Sequence, residues 1–194
     1  MRFFSTLFFS ILYFAATAQT ENRIYTFKQI GWTIQLPADF DVMDSIDNIA
    51  HMEKGLKAIE DVTDVTADIS KTITLISATK DKFNYFNATI EPFDDSDGIS
   101  WESSNQTLKE VLYATFAEKM SDAVIDTLSG KQILDGVSFD KYHITIRLDG
   151  KPIFNMLLLS KLHKGFDFGI SYLYLDDRTR LQIESMLEQS KFSK

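Results

Sequence analysis

The sequence predicts an α+β fold in which three helices pack against an antiparallel β-sheet. Two observations carry this prediction. Four alternating apolar runs in the second half of the chain are separated by short turns that each end in glycine. Three segments with helical spacing of apolar residues interrupt or follow the strands. Strands and helices arranged in this way pack as helices on an antiparallel sheet. The predicted order of elements is ββ-α-ββ-α-ββββ-α.

The chain begins its predicted domain with a short pair of strands. Residues 24–29 and 32–36 form this pair around Gly31. Pro37 ends the second strand because proline has no N–H to donate to a sheet.

Two helices and a second strand pair follow. A helix is predicted over 45–62, with Ser45 as its N-cap. The apolar residues expected on its inner face are Ile46, Ile49, Leu56 and Ile59. Strands are predicted at 72–79 and 83–93, where apolar residues alternate. A helix is predicted over 107–120, and its inner face is expected to hold Leu108, Val111, Leu112 and Phe116.

The remaining residues give the clearest pattern in the sequence. Asp135-Gly136 and Asp149-Gly150 are typical of two-residue hairpin turns, because both central residues of a type I′ turn need positive φ. Lys164-Gly165 marks a third turn. The sequence therefore predicts a four-stranded antiparallel meander, with strands at 123–134, 137–148, 152–162 and 166–175. A closing helix is predicted from Asp176 to Gln189.

The first eighteen residues have the pattern of a secretory signal peptide. Arg2 gives a positive start, residues 3–14 form an apolar run, and Ala16-Thr17-Ala18 is a small-x-small cleavage pattern. The run is shorter than the ~20 residues of a membrane span, and no basic cluster follows it. Retention as an anchor is the less favoured alternative. We therefore expect cleavage after Ala18, no membrane span after that cleavage, and one globular domain over 19–194.

Composition excludes several classes of function. The chain has 28 acidic and 20 basic residues, a formal net charge of −8, so a nucleic-acid partner is not expected. It contains no cysteine, which removes thiol nucleophiles, CxxC redox chemistry and cysteine-type zinc sites. An exported domain without disulfides favours a secreted or periplasmic protein of the bacterial envelope.

Two stretches resemble the family of PsbP-like domains, which includes the Ran-binding Mog proteins. GWTIQLPADF at 31–40 is similar to the entry strand pair of that family. FGISYLYLDD at 168–177, followed by a helix and SKF at 190–192, is similar to its usual ending. The resemblance spans most of 24–192 and implies an α/β/α sandwich around an antiparallel sheet. It also implies a protein that acts by binding. No residue set matches the manganese or calcium assistance of the photosynthetic members, and HMEKGLKAIEDV at 51–62 departs from the plant version.

No catalytic motif is present in the sequence. The three histidines, His51, His143 and His163, lack HExxH or HxH spacing, so we expect them to be exposed or half-exposed. Alternation in the second meander strand places His143, Thr145 and Arg147 on one face. No glycine-rich nucleotide loop and no GxSxG nucleophile motif occurs.

The acidic loop over 91–106 suggests calcium but fails the EF-hand pattern. With Gly98 at the sixth position, Phe93 falls at the first and Ser104 at the twelfth, where carboxylates are required. A weaker calcium site in this loop remains an alternative. Glu91 and Glu102 are the carboxylates that could serve a hydrolase, although the sequence does not fix their separation.

The two tryptophans have different expected roles. Trp32 begins a strand and is expected in the core. Trp101 is expected in a loop before the second helix, either as an exposed partner contact or as a side chain that fixes the loop to the core.

These observations favour a secreted or periplasmic, non-enzymatic domain that binds an envelope or secreted protein or assists assembly. No catalytic residue, cofactor or metal ligand is assigned. The alternatives are a hydrolase of an envelope polymer and a weak calcium or small-ligand binding module. The oligomeric state stays open.

Overall fold

The computed structural model describes residues 23–63 and 69–193. The predicted signal peptide at 1–18 lies outside these residues. The ten strands are β1 (Arg23–Phe27), β2 (Trp32–Leu36), β3 (Asp41–Val42), β4 (Ile73–Thr79), β5 (Tyr85–Pro92), β6 (Val124–Leu134), β7 (Val137–Leu148), β8 (Lys151–His163), β9 (Phe166–Tyr174) and β10 (Lys191–Phe192). The helices are α1 (Ser45–Glu60), α2 (Trp101–Lys119) and α3 (Asp177–Gln189).

Seven strands form one antiparallel sheet in the order β3-β4-β5-β9-β8-β7-β6. The predicted meander is confirmed as the run from β6 to β9. Its turns have the required backbone, because φ is 45° at Asp135, 51° at Asp149 and 51° at Lys164, and a glycine with positive φ follows each. Non-glycine residues reach this region at a cost that Asp tolerates better than most.

A smaller sheet of order β1-β2-β10 packs against one face of the large sheet. Its central side chain is Trp32, which is fully buried and contacts Phe168 of β9 edge-on with 5.3 Å between ring centroids. Phe192 of β10 stacks on Trp32 at 6.4 Å. The expectation that Trp32 belongs to the core is confirmed.

Alternation along the strands creates two apolar faces on the large sheet. Leu157 and Leu159 of β8 join the core beneath the small sheet and α3, which contributes Ile183 and Leu187. Leu158 points the other way and packs in the cluster that includes Phe116 of α2. The protein therefore has three layers, with α2 on one face of the large sheet and the small sheet with α3 on the other.

Helix α1 lies on the same face as α2 but is held differently from our expectation. Its N-cap is Asp44, which accepts from Asp47 N–H at 2.9 Å, so the assignment of Ser45 as cap is wrong. Ile46 and Ile49 are 76% and 52% exposed, so their predicted inward face is also wrong. The helix is fixed to the sheet by a polar contact instead, with Asn48 Nδ2 donating to Oγ1 of a β4 threonine at 2.8 Å.

Two further differences concern element ends. Helix α2 begins at Trp101 rather than at residue 107, because Ser100 caps it by accepting from Ser103 N–H at 3.2 Å. The intervening residues are mostly polar and exposed, so they do not show the apolar spacing that reveals a helix. The two-residue strands β3 and β10 are also additional to the predicted order, since pairs this short leave no periodic signal.

Candidate functional site

A polar cleft of about 440 Å³ lies between α3 and the face of β7, β8 and β9. The chain leaves β9 at Tyr174, turns at Asp176 and returns as α3 across that face. Asp176 fixes the turn by accepting from Thr179 N–H at 2.9 Å and from Thr179 Oγ1 at 3.0 Å. The helix therefore forms one wall of the cleft and the three strands form its floor.

Strand register places four polar side chains in the floor. The predicted face of β7 carries His143 and Thr145, and Thr145 is opposite Asn155 of β8. Asn155 is in turn opposite Tyr174 of β9. Because directly opposite residues in antiparallel strands share a face, these side chains lie side by side.

The floor residues are joined by hydrogen bonds. The Tyr174 hydroxyl lies 3.0 Å from His143 Nε2. Thr145 Oγ1 donates to Asn155 Oδ1 at 3.0 Å and lies 3.5 Å from His143 Nε2. The Thr145 hydroxyl proton is therefore directed to the amide oxygen and away from the imidazole.

Burial shifts the pKa values of the two titratable groups of the floor. Burial lowers the pKa of His143 below its usual 6.5, and the nearby charge of Lys141 lowers it further. Burial raises the pKa of Tyr174 above its usual 10.0, so its hydroxyl keeps its proton at neutral pH. His143 is consequently neutral at pH 7. When Tyr174 donates to Nε2, the imidazole carries its proton on Nδ1.

Most charges around the cleft are already paired within the chain. Arg180 of α3 binds Asp177 at 3.1 Å and Glu184 at 2.7 Å. Arg147 of β7 binds Asp126 of β6 at 2.7 Å. Lys141 also lines the cleft.

Lys141 differs from these two arginines. Its ammonium has no hydrogen-bond or ion-pair partner within residues 23–63 and 69–193, and the side chain is partly buried. It is the cation of the cleft that a bound group could neutralise. A lysine ammonium of this kind is a point charge with three donors, which pairs with an anionic group.

The other two histidines lie in separate places. His163 Nε2 is 3.0 Å from the carbonyl oxygen of Ile30. His51 stacks on Tyr85 with 5.7 Å between ring centroids. Neither reaches His143, so the histidines do not form a shared site.

The carboxylates of the acidic loop over 91–106 accept hydrogen bonds from groups of the same chain. Asp94 accepts from Ser96 N–H at 2.9 Å, and Asp97 accepts from Ile99 N–H at 3.0 Å. Glu91 accepts from the Thr72 hydroxyl at 3.0 Å. Across the described ranges, which include all of 91–106, no group of three or more His, Asp or Glu side chains is placed to hold a metal ion.

Trp101 is buried, as in the second of its two expected roles, but the prediction that it lies in a loop is wrong because it is the first residue of α2. It is 7% exposed, and its Nε1 donates to Asp167 Oδ1 at 2.9 Å. The tryptophan therefore fixes the start of α2 to β9. Glu102, in the first turn of α2, is exposed and lines neither this contact nor the cleft.

Comparison with one solved structure supports the expected fold. Cyanobacterial PsbP (CyanoP) from Synechocystis sp. PCC 6803 is similar with a TM-score of 0.57 and 8% sequence identity, over 92% of this chain and 96% of that chain. A crystal structure from Bacteroides thetaiotaomicron VPI-5482 matches with a TM-score of 0.48 and 9% identity, over 90% of this chain and 49% of that chain. No protein-family model matches the sequence, and no curated protein matches it significantly. This chain has a PsbP-like α+β fold.

None of the helices in 23–63 and 69–193 has the length and apolar character needed to cross a bilayer.

Proposed function

We propose that this chain is an exported, non-catalytic binding domain, and that its cleft beside α3 receives a carboxylate group of an envelope or secreted protein. The observation that carries the proposal is Lys141. It is the cleft cation without a partner in the described residues, while Arg147 and Arg180 are neutralised within the chain. A ligand that brings a carboxylate gives Lys141 the ion-pair partner that it lacks among these residues.

The neighbours of Lys141 fit a carboxylate on a short polar chain. Neutral His143 carries a ring N–H, and Asn155 carries an amide NH₂ farther along the same cleft, opposite Thr145. A volume of about 440 Å³ accommodates a side chain or a chain terminus, but not a folded domain. We therefore expect the cleft to take a C-terminal carboxylate or an acidic side chain of the partner.

The same geometry favours binding over catalysis. Nucleophilic catalysis needs a hydroxyl whose proton is passed to a base. The hydroxyl nearest His143 Nε2 among the cleft alcohols is that of Tyr174, which holds its proton more tightly than an ordinary tyrosine. Thr145 donates to Asn155 instead of His143. The PsbP-like fold agrees with a non-catalytic domain, by analogy of fold alone.

Export rests on residues 1–18 and has its own test. We expect the full chain, expressed in a bacterium, to reach the periplasm or the medium with Gln19 as its first residue. Intact-mass measurement of the purified protein decides the matter. Recovery from the cytoplasm with residues 1–18 still attached would contradict export.

A matched pair of peptides tests the cleft. N-acetyl-dialanine carries a C-terminal carboxylate, and its C-terminal amide has the same shape without the charge. In an NMR titration of the ¹⁵N-labelled protein, we expect the acid to shift amide resonances of β7 and α3 and the amide to leave them in place. Lys141→Gln should weaken the acid's binding about tenfold, or roughly 1.4 kcal/mol.

Lys54→Gln is the control, since Lys54 is exposed on α1 at the opposite face of the large sheet. It should leave the titration unchanged. Equal shifts with the acid and the amide, or equal weakening by both substitutions, would refute the carboxylate proposal.

A further inference from the structure

Strand β6 is a long edge of the large sheet. It has 11 residues and pairs only with β7 within the part of the chain that the structure describes. The opposite edge, β3, has two residues. Proteins usually shorten, bend or charge their edge strands to prevent pairing with another chain. The β6 strand contains no proline, and its register with β7 is continuous from Val124 to Leu134.

The hairpin geometry shows which backbone groups of β6 point outward. In a two-residue type I′ hairpin, the residues that flank the turn, here Leu134 and Val137, form a hydrogen-bonded pair. Every second residue of β6 from Leu134 backwards therefore bonds to β7. The residues between them, including Thr127 and Ser129, direct their N–H and C=O groups away from β7, at the open edge of the sheet.

The charges of β6 do not protect this edge. Asp126 is paired with Arg147 at 2.7 Å, and Lys131 is paired with Asp140, both on β7 of the same chain. A second strand that approaches β6 meets charges that are already neutralised.

Exposed apolar side chains lie along the same strand. Leu128 is 65% exposed and Ile133 is 69% exposed. No atom of residues 23–63 and 69–193 lies within 4 Å of the position that a Cβ of Gly130 would occupy, and its φ is not in the left-handed region. Nothing in this part of its own chain therefore requires glycine at this position.

We propose that β6 pairs antiparallel with β6 of a second copy of this chain, about a two-fold axis through Ser129. In this register each Leu128 lies over Gly130 of the other copy, where the missing side chain leaves room. Ile125 faces Ile133 on the opposite side of the sheet. The two seven-stranded sheets become one continuous sheet in the dimer.

The sequence of β6 favours a second copy over an unrelated strand because the pairing is self-complementary. A two-fold axis perpendicular to a sheet places residues of the same face opposite each other. The pairing can therefore shift only to registers in which opposed residues still share a face. Centring on Ser129 places Asp126 opposite Gln132 and Lys131 opposite Thr127. No like charges face each other in this register.

The first experiment measures the mass of the purified protein in solution by light scattering across a range of concentrations. We expect twice the monomer mass at high concentration and a return to the monomer on dilution, because a one-strand contact is a small interface. Ser129→Pro should restore the monomer, since it removes an outward N–H and spares the bonds to β7. Leu181→Lys, which changes an exposed leucine on α3, is the control and should leave the dimer intact.

The second experiment uses the cysteine-free background. Opposed residues of a hydrogen-bonded antiparallel pair have Cα atoms ≈ 5.5 Å apart, within disulfide range. Ser129→Cys should therefore form a covalent dimer on mild oxidation. Ile133→Cys should not, because the two copies of that residue lie about 27 Å apart along the strand in this register.

These outcomes decide the proposal. A monomer at all concentrations overturns it, as does a dimer that persists in Ser129→Pro and in a second variant, Ser129→Lys, which would oppose two like charges at the axis. Crosslinking through Ile133→Cys in preference to Ser129→Cys overturns the register. Unchanged near-ultraviolet circular dichroism in the variants confirms that they are folded.

Discussion

Trp101→Phe tests how α2 is fixed to the sheet. The tryptophan is 7% exposed, and its indole N–H donates to Asp167 at 2.9 Å. Burial raises the pKa of Asp167, while the hydrogen bond from Trp101 lowers it. Phenylalanine keeps an aromatic ring in the site and removes the donor. The largely buried carboxylate then loses its indole partner.

A hydrogen bond to a charged group contributes about 1.5–3 kcal/mol, so we expect the variant to lose about 2 kcal/mol of stability at pH 7. For a protein of this size that corresponds to a fall in Tm of about 4–8 °C. Urea unfolding followed by circular dichroism measures the free energy. Fluorescence of the remaining tryptophan, Trp32, gives an independent signal from the core.

The cost should depend on pH in a defined direction. Asp167 has a folded-state pKa above its unfolded value of 3.8, and loss of the indole donor raises it further. Above its folded-state pKa the Asp167 carboxylate is charged, and Trp101→Phe has its full destabilising effect. As pH falls through the folded pKa, the folded protein takes up the proton first, and the cost of the substitution shrinks.

Asp167→Asn is the control, because the amide oxygen still accepts from Trp101 while the charge is removed. We expect it to change stability by less than about 1 kcal/mol at pH 7, since burial already disfavours the charged form. A cost for Trp101→Phe below about 0.5 kcal/mol, or the same cost at pH 7 and pH 4, would show that the indole hydrogen bond to Asp167 does not stabilise the folded protein in this way.

Three further predictions concern the core and the histidines. Phe192→Ala should destabilise the protein by about 3 kcal/mol in urea unfolding, because its ring packs on Trp32 and closes the small sheet; a loss under about 1 kcal/mol would contradict this role. Gly31→Ala should lower the free energy of unfolding by about 1–2 kcal/mol, since φ is +66° and a Cβ would lie 2.4 Å from Ser193 Oγ. An unchanged Tm in thermal unfolding would contradict this expectation. His143 and His163 both have lowered pKa values, through burial first. Their contribution to stability is therefore present above pH ~6.5 and lost as pH falls below it, because the unfolded chain takes up the protons first. The double variant His143→Gln, His163→Gln should show a smaller loss of unfolding free energy between pH 7 and pH 5. The same loss as in the unchanged protein would contradict this prediction.

The hairpins could be predicted because their signal is local. A type I′ turn requires positive φ at two adjacent residues, and Asp-Gly pairs such as Asp135-Gly136 and Asp149-Gly150 adopt this conformation with less strain than most other pairs. The alternation around them predicted the four strands of the meander, but not the register shift between Ile146 and Arg147 where β7 pairs with β8. The resemblance in 31–40 and 168–177 added the layer arrangement, which the structure comparison supports.

The cleft could not be predicted, because its walls meet only in three dimensions. Alternation indicated that His143, Thr145 and Arg147 share a face. It did not indicate that α3 returns across that face and brings Arg180 and its paired carboxylates beside them. The available signal was a run of polar residues on a strand whose other face is apolar. That run predicts an accessible surface but not what lies over it.

The first part of the inner face of α1 was predicted wrongly for a related reason, whereas Leu56 and Ile59 are partly buried. Apolar residues at helical spacing usually mark the buried side. Here Asn48 reaches the sheet through a hydrogen bond, and the helix rotates so that Ile46 and Ile49 face outward. At this end of the helix the residue buried against the sheet is therefore polar, and the apolar pattern does not reveal it.

Binding of a carboxylate in the cleft beside α3 would be visible in a crystal structure of the protein with N-acetyl-dialanine. We expect the peptide's carboxylate within about 3 Å of the Lys141 ammonium, on the His143 side of the cleft floor. A peptide bound elsewhere, or a cleft in which Lys141 pairs with a carboxylate of its own chain, would contradict it.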